Sequence, residues 1–489
     1  MANNPANNNT DSHVKGVYSV GMFGRKEIYT DYSEITRDNL IEVLSEATNT
    51  FAANAGQSEY LWNYYKGAQP IQYKVKDTRP DINNCIVVNL AKYITDFSVG
   101  YLLGEPIQYI NVGEADKDDE IQQLNAYMRS EGKPRRDTEL GKWMHICGVG
   151  YRFTAPDEKR YADYDEAPFE LYTLKPTEAF VVRHSGIGHP VVLGVTVAKM
   201  QTHSTVYTCY TPTERFVVVD GIVTEQDYHL LGRIPIIEYP LNDARMGCFE
   251  PVLGMLEAIN MTESDRQDGV DSFVQSFMAF HNMDIDMSTY EEFLDKGLIM
   301  YKDVSPDMRG DLQYITSELN QDQTQTLVNH MTDMVLMICG VPSISNATTS
   351  DSSNNGAVIL KNGWQGAEAR AKSTEQIFKE SEMEFLRLVL WICRTIRGMN
   401  SLRISDIEAH FTRRNYEDIQ SKTQVLVTLL GSGKVAPKLA FEVCGLFIDP
   451  EEAYQMSLPY IERELAKEDT AQEETADAQD PVGEDDTGA

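Results

Sequence analysis

The chain has 489 residues, 42% of them apolar and 24% charged, with a formal net charge of −32 at pH 7. That length holds two or three packed regions, and an acidic balance without a long basic block excludes tight, sequence-independent adhesion to DNA through phosphate neutralisation. Seven dispersed cysteines with no Cys-x-x-Cys pair exclude a zinc framework and fit reduced thiols, while no stretch approaches the about 18 consecutive apolar residues of a membrane span.

Residues 1–30 are Asn- and Gly-rich with little apolar periodicity, so a disordered or extended start without a signal peptide is expected. A helix is predicted over 33–53 from Ile35, Leu40, Val43, Leu44 and Ala47, and Leu61 to Gly67 reads as an aromatic helix end with a glycine stop. Asn83 and Asn84 precede a second predicted helix with Val87, Leu90, Ile94, Phe97 and Tyr101 on one face. A strand is expected at 107–110 and short helices near 118–131 and 137–147. From Gly150 to Pro240 the pattern turns to strands at 169–174, 179–182, 191–197, 205–210 and 216–219, rich in Val, Tyr, Thr and Phe between Gly and Pro punctuation. Ile234 to Pro240 reads as an edge segment, because its prolines lack an N–H.

Helical spacing resumes over 251–281 and again over 319–339, separated by a mixed insert at 283–318 in which Gly297 to Tyr301 suits a strand. The later helix carries Leu327, Met331, Met334, Val335 and Ile338 and stops at Cys339-Gly340-Val341-Pro342. Residues 343–356 are almost all Ser, Thr and Asn. A loop this long and polar between two strong helices is either functional or a disordered connector. After Gly356 a helix of about forty residues, roughly 60 Å long, is predicted to run to Arg397, and Trp364→Pro is expected to break it. Helices near 415–431, 437–444 and 450–467 follow, then an acidic tail expected to be disordered from about 468.

Motifs with intrinsic chemistry are few. Gly431-Ser432-Gly433-Lys434 lacks the spacing of a phosphate loop, with Thr428 and Val435 at the deciding positions, and reads as a helix-terminating loop. Asp284-x-Asp286-x-Ser288 lacks the glycine and glutamate of a calcium loop. His184 and His189 have no evident third ligand for a metal. No nucleophile elbow or His-Glu-x-x-His occurs, so no catalytic residue, metal or cofactor is expected.

Several short motifs, taken in order, resemble those of the portal proteins of tailed double-stranded DNA bacteriophages, in the branch with long non-contractile tails. They are Tyr64-Tyr65-Lys66-Gly67, Asn83-Asn84 through Asn89, and Gly100-Tyr101-Leu102-Leu103-Gly104-Glu105-Pro106. The helix–insert–helix at 251–339, Gly340-Val341-Pro342, the polar loop and the long helix after Gly356-Ala357 continue the series. The likeness runs over about 30–465.

This resemblance implies an α+β portal fold. Its parts would be a mixed α/β wing (31–250), a two-helix stem (251–282 and 319–340), a clip (283–318), a tunnel loop (341–356), a long wing helix (357–399) and a helical crown (400–467). It implies a homododecameric ring at one capsid vertex of the virion, assembled in the host cytoplasm, serving as the conduit for DNA packaging and ejection. The partners implied are copies of the chain itself, double-stranded DNA held weakly and without sequence preference, the terminase large subunit, scaffold and major capsid proteins, and a head-completion adaptor. No membrane is involved.

The DNA-tunnel loop candidates are Ser345, Asn346, Ala347, Thr348, Thr349, Ser350, Asp351, Ser352, Ser353, Asn354 and Asn355. The channel-facing stem candidates are Glu263, Asp265, Arg266, Asp268 and Asp271, on a stretch where Arg266 is nearly the sole base. The clip candidates for motor or adaptor contact are Tyr290, Glu291, Glu292, Lys296, Lys302, Asp303 and Arg309. The alternative reading is another virion structural protein, a head–tail adaptor or minor head protein. Cyclic symmetry repeats every residue, so one aspartate becomes a ring of charge.

Overall fold

The computed structural model describes residues 24–77, 79–113, 117–160, 165–200, 204–274, 277–281, 283–284, 302–303, 311–315, 321–343, 363–413, 418–432, 434–447 and 450–461. In chain order the elements are β1 (Tyr29–Thr30), α1 (Leu40–Tyr65), α2 (Leu90–Leu103), β2 (Gln108–Asn111), α3 (Asp118–Ser130) and α4 (Lys133–Cys147). Then come β3 (Val149–Pro156), β4 (Phe169–Leu174), β5 (Ala179–His184), β6 (Val191–Lys199), β7 (Thr205–Tyr210), β8 (Glu214–Val219), β9 (Ile222–Tyr228) and β10 (Ile236–Pro240). The remainder are α5 (Leu253–Val274), β11 (Phe277–His281), β12 (Met283–Asp284), β13 (Lys302–Asp303), β14 (Asp311–Ile315), α6 (Gln321–Cys339), α7 (Trp364–Arg397), β15 (Ile407–His410), α8 (Asp418–Gly431), α9 (Pro437–Cys444) and α10 (450–461). The fold is α+β, as the sequence predicts.

The described residues divide into two compact units. One comprises the chain up to Gly104 with Tyr127–Asn400, the other Glu105–Ala126 with the chain from Ser401. In the first, β5 organises two sheets because alternate residues of a strand point to opposite faces. Phe180 and Val182 join Leu193, Val195, Cys209, Phe216 and Val218 of a six-stranded sheet ordered β1-β5-β6-β7-β8-β9, and α1 covers that face with Leu40, Val43, Leu44, Ala47 and Phe51. Ala179 and Val181 turn the other way, into a cluster with Val149, Tyr151 and Ile236 of the sheet β10-β3-β4. Helix α4 is buried at Leu140, Trp143, Met144 and Ile146. A Cβ on Gly141 would lie 2.4 Å from Leu103 Cδ1, so a larger residue there must displace the Leu103 side chain where α2 meets α4.

The long helix α7 is docked by buried charge as well as by apolar packing. Glu382 accepts from Arg152 at 3.0 Å and from Tyr239 at 2.8 Å, and pairs with Lys133 at 2.8 Å. Lys133 and Arg152 both also pair with Asp137. Two cations and two carboxylates, all at most 5% exposed in their side chains, therefore close a square joining α4, β3 and α7. Such a group costs desolvation but strongly penalises loss of any one member.

Several elements depart from the sequence expectation. Helix α1 starts at Leu40 and runs unbroken to Tyr65, rather than starting near 33 and stopping near 53. Helix α2 starts at Leu90, capped by the Asn89 side chain, because the N–H groups of the preceding segment are held by α5 side chains instead of by a helical ladder. Helix α5 ends at Val274, not near 281. Phe277–His281 form a strand paired antiparallel with Asp311–Ile315, and that long-range pairing overrides the helical spacing of Val270, Phe273 and Phe277. Helix α7 has 34 residues and begins at Trp364, a first position where proline is tolerated. The expectation that Trp364→Pro breaks the helix is therefore corrected.

In the second unit β2 pairs antiparallel with β15, Tyr109 opposite Ala409. Asn125 clasps the Tyr109 backbone, accepting from its N–H at 3.1 Å and donating to its carbonyl at 2.8 Å. Lys117 pairs with Asp406 and donates to the Ser401 carbonyl. Residues 105–126 thus cluster with the chain beyond 400. Helices α8, α9 and α10 share a core of Leu426, Ala440, Phe441 and Cys444 with Tyr454 and Ile461.

Candidate functional site: the helix pair and the roots of the polar segment

Helix α5 enters through Glu250–Val252 and buries Leu253, Leu256 and Ile259. The row that Leu256 begins continues as polar residues in steps of four: Asn260, Ser264 and Asp268. These three accept from the backbone N–H groups of Val88 (2.8 Å), Ile86 (2.9 Å) and Asn84 (2.7 Å). Four helical residues rise about 6 Å and two extended residues about 6.6 Å, so the two periods keep step over three rungs. The segment before α2 is in this way strapped along α5 by side chains standing in for a neighbouring strand.

The strap also brings cations to α5. Lys74 Nζ lies 2.7 Å from Asp265 and 2.9 Å from Asp268, and Lys76 Nζ lies 2.8 Å from Asp268. Burial alone would raise the Asp268 carboxyl. Hydrogen bonds from Lys76, the Asn84 backbone and Lys74 outweigh it and hold the group well below the usual carboxylate range. Burial likewise opposes the Lys74 charge, and Asp265 with Asp268 overcome it, raising the ammonium's pKa.

The five stem candidates are thus placed as follows. Asp268 is 3% exposed and faces the strap, so within the protomer its carboxylate is not on an open wall. Asp265 keeps 58% of its side chain exposed. Asp271 is half-buried and accepts from Asn84 and Gln267. Glu263 lies 3.6 Å from Arg266, and Arg266 donates to Gln321 at 2.8 Å and Gln325 at 2.7 Å, tying α5 to α6. The acidity of this stretch is accordingly answered by Lys74 and Lys76 from far upstream.

The 344–362 segment, with every tunnel-loop candidate from Ser345 to Asn355, lies outside the described residues, but its two roots are defined. At the first, Gly340 takes φ +68 to end α6, and Arg370 of α7 donates to the Ile338 carbonyl at 2.6 Å. This supplies a cation and a donor to the exposed carbonyl end of a helix. Ser343 donates to Asp333 at 2.8 Å. At the second root Trp364 packs on Phe97 and Tyr101 with ring centroids 5.9 and 5.8 Å away, and the Tyr101 hydroxyl donates to Glu368 at 2.8 Å. A Cβ on Gly363 would sit 3.8 Å from the Pro342 Cα, so the segment leaves and returns at one point. Beside this point a cavity of about 450 Å3 is lined by α2, the 241–251 turn, Gly340 and the first turns of α7.

Between α5 and α6 the short ladders β11–β14 and β12–β13 place Lys302 opposite Asp284 and Asp303 opposite Met283. Tyr290, Glu291, Glu292, Lys296 and Arg309 lie outside the described residues. Among the described residues no group of three or more His, Cys, Asp or Glu is placed to hold a metal ion. His184 ends β5 and His189 sits in the following turn. Helix α8 terminates at Gly431, consistent with a helix-terminating loop there. The sequence reading missed Lys74, Lys76, Asn84, Asn260 and Ser264. Their signal was present as the alternation Lys74-x-Lys76 and the four-residue polar repeat on α5.

Comparison with known proteins supplies the family. The family described as phage portal protein, SPP1 Gp6-like, matches residues 46–477. Among solved structures the chain is similar to one from the neck of an empty gene transfer agent particle, at 12% identity and TM-score 0.44, covering 74% of this chain and 91% of that one. It is similar also to one from the virion of a native gene transfer agent particle, at 12% identity and TM-score 0.42, covering 80% and 93%. No curated protein matches the chain.

Proposed function

The chain belongs to the phage portal protein family, and we propose that it assembles with copies of itself into a ring, twelve-fold in the virion, at one capsid vertex. Double-stranded DNA enters and leaves the head through this ring. Helices α5 and α6 act as the stem, the insert between them as the clip that meets the terminase large subunit and then the head-completion adaptor, and 341–356 as the tunnel loop. Scaffold and major capsid proteins hold the ring at its vertex. The role is structural rather than enzymatic.

One observation carries this reading: the family match spans 46–477 and so takes in the whole order of helix, insert, helix, polar segment and long helix. The site geometry supports it. A segment anchored at a single point, by Arg370 on one side and the Trp364 cluster on the other, has a firm base from which to touch a moving duplex. No Lys or Arg occurs between 343 and 356. Contact with DNA there relies on hydroxyl and amide hydrogen bonds to phosphate, which position without reading sequence and break easily. Asp265 and the other exposed acids of the stem repel the backbone and oppose sticking.

Deletion of Ser345–Asn355 tests the assignment. Rings of unchanged mass that yield fewer DNA-filled heads are expected. Normal packaging by the deletion mutant contradicts the role given to the segment.

A further inference from the structure

Two sets of apolar residues flanking α5 are open to solvent among the described residues. On α6, Leu327, Met331, Met334 and Ile338 recur at i, i+4, i+7 and i+11 and form one stripe. Leu327 is 50% exposed, Ile338 37%, and Met337 beside them 65%. The buried residues of this helix, Val328, Val335, Leu336 and Cys339, centre about a third of a turn away. The stripe is thus a second apolar face, half-buried at Met331 and Met334 and open at Leu327 and Ile338.

The other set belongs to the strap. Lys74 and Lys76 turn in toward Asp265 and Asp268. Val75, between the two lysines, and Tyr73, the last residue of the 3-10 turn Pro70–Tyr73, stay open to solvent, 74% and 76% exposed. Strap and α6 lie on nearly opposite sides of α5. Asn260, Ser264 and Asp268 hold the strap, whereas Arg266, about 160° around the helix from Asp268, reaches Gln321 and Gln325 of α6.

This arrangement has a symmetry consequence. A twofold dimer uses one surface twice, whereas a closed ring of identical subunits needs two different surfaces that fit each other. Exposed apolar residues on opposite flanks of a strap–α5–α6 slab, Tyr73 and Val75 on one and Leu327 and Ile338 on the other, suit the second requirement. We infer that the α6 stripe of one copy packs against Tyr73 and Val75 of the next copy. The inference rests on the ring reading and deepens it by naming which residues of the neighbouring copy are met.

The test uses the full chain in a Cys85→Ser background, since Cys85 is the exposed thiol and the other six are buried. Val75→Cys is combined with Leu327→Cys or with Ile338→Cys and treated with a short bis-maleimide. At least one double variant should give a covalent ladder at multiples of 55.2 kDa, and each single variant should not. Val75→Glu and Leu327→Glu, both at exposed positions, should keep the wild-type circular dichroism and lose ring mass in light scattering. Wild-type rings with no ladder in either double variant, and with ring mass retained by both glutamate variants, overturn this inference and leave the ring reading standing. A wild-type chain that stays monomeric alongside capsid and scaffold proteins overturns the ring reading, and the inference with it.

Discussion

Asp268 of α5 accepts from both the backbone N–H and the side-chain amide of Asn84, at 2.7 and 2.9 Å, across 184 positions of sequence. With Lys74 and Lys76 on the same carboxylate, this contact fixes a helix assigned to the channel to the body that carries it. Removing the carboxylate strands Lys74, 5% exposed in its side chain, without its buried counter-ion. Asp268→Ala is expected to lower unfolding free energy by about 2–4 kcal/mol, and Asp265→Ala, at a mostly exposed position, by under about 1 kcal/mol. Urea titrations of the two variants check the contrast. Equal effects contradict it.

Glu382 completes the buried square that docks the long helix. Glu382→Ala removes one of the two buried carboxylates that Arg152 and Lys133 share, and a cost of about 3–5 kcal/mol is expected. Calorimetry should show a fall in Tm several-fold greater than for Glu384→Ala, where the pairing with Arg233 is about half exposed.

Acid should destabilise the chain in two stages. Burial pulls His145 down to about 4, against the Gly141 carbonyl, which favours its proton. Its folded value thus lies below its unfolded one, so its contribution is present above about pH 6.5 and is lost as pH falls toward 4. The difference amounts to about 3 kcal/mol. For Glu238, burial would raise the carboxyl, but Arg245 and Arg183 bring it down to about 2. Its contribution, like that of Asp268, is present above about pH 4.5 and lost only in stronger acid. Stability measured from pH 7 to 4 should decline in the wild type and flatten in His145→Gln.

Thiol reactivity follows burial. Cys147, Cys209, Cys248, Cys339 and Cys393 are pushed up to about 12 by burial, and Cys85 is exposed. A thiol reagent at pH 8 should label about one cysteine per native chain and all seven after denaturation. Rapid native labelling of Cys248 or Cys339 would show that the cavity beside Gly340 opens.

The sequence carried the local structure well where one period dominates. Strands 169–174 and 205–210 follow from alternation of β-branched and aromatic residues, as does the 179–182 part of β5. The stop of α6 follows from Gly340 and Pro342. It misled where distant partners decide. Phe277 fits a helical stripe and a strand equally, and pairing with Ile315 selects the strand. Residues 84–88 look ready to begin a helix until Asn260, Ser264 and Asp268 claim their N–H groups. The acids of α5 looked uncompensated because Lys74 and Lys76 lie nearly two hundred positions earlier. Asp268 was legible as a charged residue of a functional helix, but its inward direction was not.

The central claim is that this chain closes into a ring around a channel. Its most direct test is the mass and shape of the purified full chain, by light scattering with negative-stain images. A ring of about a dozen 55.2 kDa subunits, about 660 kDa in all, with a central hole wide enough for a duplex is expected. A chain that remains monomeric, even when mixed with its capsid and scaffold proteins, contradicts it.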